Sequence, residues 1–143
     1  AQGDENALGF SLTFDPAVLG NPQAAPGSDA SSATLNVNTS QAGSGRLGVA
    51  LSLPFGQKFS AGARQIVVVS FTIASGASAG STPVGFGDQP ITREISDTNA
   101  SALQATYTPG AITIAAGAAL RPNGSDVLRS LATMGQKRSR GSR

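Results

Sequence analysis

Between Leu8 and Leu19 the chain reads LGFSLTFDPAVL, and this stretch limits the possible folds more than any other. Leu8, Phe10, Leu12 and Phe14 stand two residues apart, with Gly9, Ser11 and Thr13 between them. A pleated strand puts the first set on one face and the second on the other, so one face is buried and one is wet. Asp15 is placed to cap a short turn that starts at Pro16, where a preset φ and a missing amide proton cost nothing. Val18 and Leu19 then fold back onto the apolar face.

The same period recurs along the chain. Leu35 and Val37 alternate with Thr34, Asn36 and Asn38, and Leu47, Val49, Leu51 and Leu53 alternate with Gly48, Ala50 and Ser52. The short glycine-bearing link between these two runs predicts an antiparallel hairpin. Gly20 to Ser32, GNPQAAPGSDASS, is rich in turn formers and is expected to be an irregular connection. Arg64 to Ile73, RQIVVVSFTI, has a continuous apolar run from Ile66 to Val69, the mark of a strand covered on both faces at the centre of a sheet. Further strands are expected at Val84 to Phe86, Pro90 to Asp97, Ala102 to Thr108 and Gly110 to Ala115. Eight short strands at near-regular spacing predict an all-β fold, a two-sheet antiparallel β-sandwich of jelly-roll or Ig-like type.

A length of 143 residues suits one such domain. Residues 1–116 are expected to form the sandwich, and 117–143 a linker, a short C-terminal helix and a basic tail. In that tail Val127, Leu128, Leu131 and Met134 share a helical face, Ser125 is a cap and Gly135 a stop. Charge divides at the same place: residues 1 to 124 carry five basic and seven acidic side chains, whereas 125 to 143 carry five basic and one acidic. The body is mildly acidic, without the basic groove or aromatic platforms of a nucleic-acid surface, so no nucleic-acid partner is expected. No apolar run approaches the roughly 20 residues that span a bilayer.

There is no His and no Cys, which removes the common base–nucleophile pairs and thiolate metal sites. The two glutamates, Glu5 and Glu94, fall on separate segments, and an enzyme is not expected. Asp4, Glu5 and Asn6 read as a plain loop rather than a calcium site, because consecutive side chains point apart, and no cofactor is expected.

The order of these segments resembles the cohesin family. FSLTFDPAVL is similar to that family's third strand and following turn, RLGVALSL and RQIVVVSFTI to its sixth and seventh strands, STPVGF to its eighth and GAITI to its ninth. The resemblance implies an extracellular or cell-surface protein-interaction module whose partner is dockerin-like. It also implies a binding face formed by the outward residues Ser11, Thr13, Asn36, Asn38 and Ser52. Cohesins carry two further strands ahead of the position of Ala1, beside the seventh and ninth. Their absence here implies that Arg64 to Ile73 lacks a neighbour on at least one side, in a truncated domain or one completed by another copy. Two alternatives stand beside this reading: a self-assembling structural subunit joined by strand exchange, and a carbohydrate-binding module. The latter would take a polysaccharide partner, with Tyr107, Phe55 and Phe59 stacking on sugar rings, although Phe55 and Phe59 fit more readily as a cap on the sandwich end.

Overall fold

The structure is a computed structural model and describes residues 1–116. The helix and basic tail expected within 117–143 lie outside the described residues. Eight strands are present among those described: β1 (Glu5–Thr13), β2 (Leu19–Pro26), β3 (Thr34–Asn38), β4 (Arg46–Ser52), β5 (Val67–Ile73), β6 (Gly80–Gly87), β7 (Glu94–Asp97) and β8 (Gly110–Ile114). The larger sheet runs β3-β4-β1-β6-β8, with β7 also on β1, and the smaller sheet is the pair β2-β5. All pairings are antiparallel.

Period-two alternation becomes the core directly. Leu8 faces Leu51, Phe10 faces Val49 and Leu12 faces Leu47 across β1 and β4, while Leu35 faces Leu51 and Val37 faces Val49 across β3 and β4. Leu19, Leu47 and Val49 are fully buried, which stabilises the fold by about 1.5–3 kcal/mol for each side chain. Across the layers Phe14 meets Phe71 edge-on at 4.9 Å. A second cluster of Ala30, Leu51, Leu53 and Phe59 closes one end.

The chain changes layer at Asp15. Its carbonyl accepts from the amides of Val18 (3.1 Å) and Leu19 (2.9 Å), and its Oδ1 accepts from the Ala17 amide at 2.9 Å. This cap-and-proline turn drops Leu19 into the core as the first residue of β2. Nearby, Gly45 sits at φ 74°, and a Cβ there would run into the Phe14 carbonyl, so only glycine allows the β3–β4 link to pass so close.

Four expectations are corrected. The connection from Gly20 to Ser32 contains strand β2, hidden by Pro22 and Pro26, and its register on β5 shifts between Gly20 and Gln23. Arg64 to Ile73 is not covered on both faces: the strand begins at Val67, its exposure alternates, and Val68 is 44% exposed. The valine run reflects strand preference rather than double coverage. β5 pairs with β2 on one edge, and among the described residues no strand pairs with the other. Pro90 to Asp97 is strand only from Glu94, and Ala102 to Thr108 holds a single bridge, Ser96 to Ala102, instead of a strand. That segment meets β7 only at this point, where the Leu103 amide also donates to the Ile95 carbonyl at 2.7 Å, and it does not continue as a ladder.

Candidate functional site

The outward face of the larger sheet is divided in two by its own chain. β6 pairs with Ser11–Thr13 and β7 with Glu5–Gly9, so both lie on the same side of β1. The residues between them, 88–93, leave the sheet and fold over its outer face. Pro90 and Ile91 land on a floor of small residues. A Cβ on Gly48 would come within 2.8 Å of Pro90 Cγ and 2.9 Å of Ile91 Cγ1, and one on Gly9 within 3.2 Å of Ile91 Cγ2. Ser11, at the centre of this floor, is fully buried: its hydroxyl donates to the Ile91 carbonyl at 2.6 Å and accepts from the Ile91 amide at 2.8 Å. The glycines at outward positions of β1 and β4 are the backbone's allowance for this close approach.

The loop is also pinned at its far end. The Arg93 guanidinium donates twice to Asp88, Nε to Oδ1 and Nη2 to Oδ2, each at 2.9 Å, while the Arg93 amide reaches Asp88 Oδ1 at 3.0 Å. Those bonds, the guanidinium's first, hold the Asp88 carboxyl down at about 2. Arg93 also lies 5.4 Å from the centre of the Tyr107 ring, which in turn stacks edge-on against Phe86 at 5.3 Å. Burial pushes the Tyr107 phenol up.

What remains open on this face is the β3–β4 half. Thr34 stands opposite Ser52 and Asn36 opposite Ala50, and Thr34, Asn36 and Ser52 are exposed. Asn38 is half-buried, and its Oδ1 accepts from the Ser40 amide (3.0 Å) and hydroxyl (2.7 Å). Thr13 is half-buried too, with its side chain against the positions where Gly85 and Gly87 would carry a Cβ. Of the five residues expected on a binding face, the structure thus brings Asn36 and Ser52 together in the open, keeps Asn38 and Thr13 at the margin, and removes Ser11 beneath the loop. Thr34 joins the open set through the same alternation, and Arg46, opposite Thr13, bounds it at one end with its guanidinium 3.3 Å from Gln41 Oε1. The roof over Ser11 had one signal in the sequence, the glycines at 9 and 48.

The three aromatics considered for sugar stacking do not come together as a row. Phe59 is only 3% exposed and belongs to the end cluster, Tyr107 is half-buried between Phe86 and Arg93, and Phe55 is 99% exposed. Phe59 is a core residue, in keeping with its expected part as a cap. Among the described residues no three His, Cys, Asp or Glu side chains are grouped as metal ligands, and no helix is long and apolar enough to cross a membrane. The open half offers hydroxyl and carboxamide groups on the paired β3–β4 ladder.

These two layers, with their strand order and the turn at Asp15, give a β-sandwich with a cohesin-like fold. No protein-family model and no curated protein matches the sequence. Among solved structures, the chain is similar to the cohesin CaCohA2 of Clostridium acetobutylicum in its complex with CaDoc0917 (20% identity, TM-score 0.64, 80% of this chain and 82% of that one). The solution structure of CaCohA2 gives 21% identity, a TM-score of 0.62, and coverage of 82% and 76%. The sixth cohesin of scaffoldin B from Acetivibrio cellulolyticus, in complex with a Cel5 dockerin, gives 19% identity, a TM-score of 0.64, and coverage of 78% and 79%. About a fifth of each of those chains therefore has no counterpart in the match.

Proposed function

We propose that this chain is a non-catalytic protein-interaction module of cohesin type, acting outside the cell or at its surface, and that its partner is a dockerin-like domain. The observation that carries this reading is the cohesin-like fold together with the open β3–β4 shelf. Solved neighbours include two cohesins in complexes, one of them with a named dockerin. Thr34, Asn36 and Ser52 stand on a rigid ladder, with half-buried Ala50 between them keeping the surface low, so that a partner helix or loop reaches the polar groups without reordering the sheet. The loop over Ser11 forms a wall on one side of the shelf and gives the docking a direction. Such a face supplies complementarity and hydrogen bonds rather than a large aromatic anchor, so the partner brings the anchoring side chains. Location outside the cell is supported by the same fold likeness. The carbohydrate reading has less to stand on, because Phe59 is in the core.

The test is calorimetric titration of the chain with a panel of dockerins that begins with CaDoc0917, repeated on Asn36→Arg and Ser52→Arg. The reading predicts saturable binding by at least one dockerin and a loss of tenfold or more in each variant, with unchanged melting. Binding that both variants leave intact, or none across the panel, would contradict it.

A further inference from the structure

One turn at the end of the sandwich holds an aromatic ring entirely in water. Leu53, just past β4, is buried, and Pro54 to Gln57 then reverse the chain, with the Gln57 amide donating to the Pro54 carbonyl at 3.0 Å. Gly56, at φ 77°, takes the left-handed position that such a turn needs at its third residue. Phe55, at the second, is 99% exposed.

The turn is braced from β1. The Asn6 side-chain amide donates to the Gln57 carbonyl at 2.7 Å and reaches the Pro54 carbonyl at 3.4 Å. On either side the backbone is tied to the same strand end: the Leu53 amide donates to the Asn6 carbonyl at 3.0 Å, and the Phe59 amide to the Glu5 carbonyl at 2.9 Å. Leu53 and Phe59 both belong to the buried end cluster, so the exposed ring stands on a base fixed at both ends. On backbone that is already ordered, a large apolar side chain surrounded by water costs little to immobilise and gains its transfer energy when a partner covers it.

This turn lies at the Ser52 end of the open shelf. Phe55 follows Ser52 by three residues, and the Ser32 hydroxyl, two residues ahead of Thr34, lies 3.5 Å from Gln57 Oε1. Thr34 and Ser52 stand opposite each other, so the turn continues past the last pair of the shelf. A sugar would need the ring as a platform backed by other side chains, whereas a ring at 99% exposure has water on both faces and fits as a plug into a cavity of its partner. Charge argues against a lipid surface: residues 1 to 124 carry five basic and seven acidic side chains, and a membrane-surface site draws on basic ones.

We propose that Phe55 is an anchor residue of the docking surface, entering an apolar pocket on the protein partner that sits on the β3–β4 shelf. This role rests on the proposed docking of a dockerin-like domain there, and adds to it an aromatic contributed from this side of the interface. The chemistry of the partner follows. It presents hydrogen-bonding groups to Thr34, Asn36 and Ser52 and, beyond Ser52, a recess lined by aliphatic side chains and wide enough for one phenyl ring.

The experiment titrates the 143-residue chain, Phe55→Ala, Phe55→Trp and Asn36→Arg with the dockerin that binds the unaltered chain most tightly in the calorimetric panel. The chain has no tryptophan, so Phe55→Trp carries a single fluorescent reporter. The proposal predicts binding at least tenfold weaker for Phe55→Ala, with unchanged melting, and binding within threefold of the unaltered chain for Phe55→Trp. In the Phe55→Trp complex, emission should move to shorter wavelength and acrylamide quenching should fall threefold or more. Binding that Asn36→Arg abolishes but Phe55→Ala weakens by less than tenfold, or an indole still fully quenchable in the complex, would overturn the anchor and leave the shelf reading standing. Absence of binding across the panel would overturn both.

Discussion

Ser11→Ala is the substitution whose cost the structure specifies most closely. The hydroxyl is fully buried and makes two bonds to one residue, 2.6 Å to the Ile91 carbonyl and 2.8 Å from its amide. Alanine keeps the strand and removes one atom, so both backbone groups of Ile91 lose their partner under a roof of Pro90 and Ile91. A neutral hydrogen bond contributes about 0.5–1.5 kcal/mol net, and a group left unpaired at the buried end costs about 1–3 kcal/mol, which puts the loss at about 2 kcal/mol. For a domain of this size each kcal/mol lowers the melting temperature by roughly 3–6 °C, so the shift is roughly 10 °C. Ser52→Ala, on the same face but exposed, should stay within about 0.5 kcal/mol. Urea unfolding of the two variants, with amide exchange at Ile91 followed by NMR, separates these outcomes. A Ser11→Ala loss no larger than that of Ser52→Ala, with Ile91 exchanging as before, would show that the loop is not held on the sheet by this hydroxyl.

The two phenylalanines of the 54–59 loop should part company in the same assay: Phe59→Ala costs about 3–5 kcal/mol as a core truncation, whereas Phe55→Ala, at 99% exposure, changes stability by less than about 0.5 kcal/mol. Asp88 should titrate near 2 by carboxyl NMR, and Arg93→Ala should return it toward the ordinary carboxylate range. Because its folded pKa lies below the unfolded one, the stabilisation from this pair is present above about pH 4 and fades as pH falls toward 2. A midpoint that Arg93→Ala leaves unmoved would show that the guanidinium is not its cause.

Strands β1, β3 and β4 were legible because each alternates apolar inward residues with small or polar outward ones, and Leu8, Phe10, Leu12, Leu47, Val49 and Leu51 meet across the ladders as their spacing implies. β2 was not, since its eight residues include two prolines and a glycine and it forms strand only because β5 offers a ladder. β5 was recognised as a strand but placed at the wrong depth: a run of valines signals preference for extended backbone and says nothing about how many neighbours exist. The outward face of the larger sheet was half legible. Alternation gave the outward set Ser11, Thr13, Asn36, Asn38 and Ser52, but that 88–93 would fold over Ser11 depends on contacts made 80 residues apart, for which the small floor at Gly9 and Gly48 was the only trace.

Amide hydrogen exchange along Val67–Ile73 in the unliganded chain is the most direct measurement of the arrangement argued above. A strand laddered to β2 on one edge and open on the other should alternate, with slow amides where they point to β2 and fast ones between them. Uniformly slow exchange across all seven residues would mean that a second strand lies on the other edge of β5, contrary to a two-stranded smaller sheet.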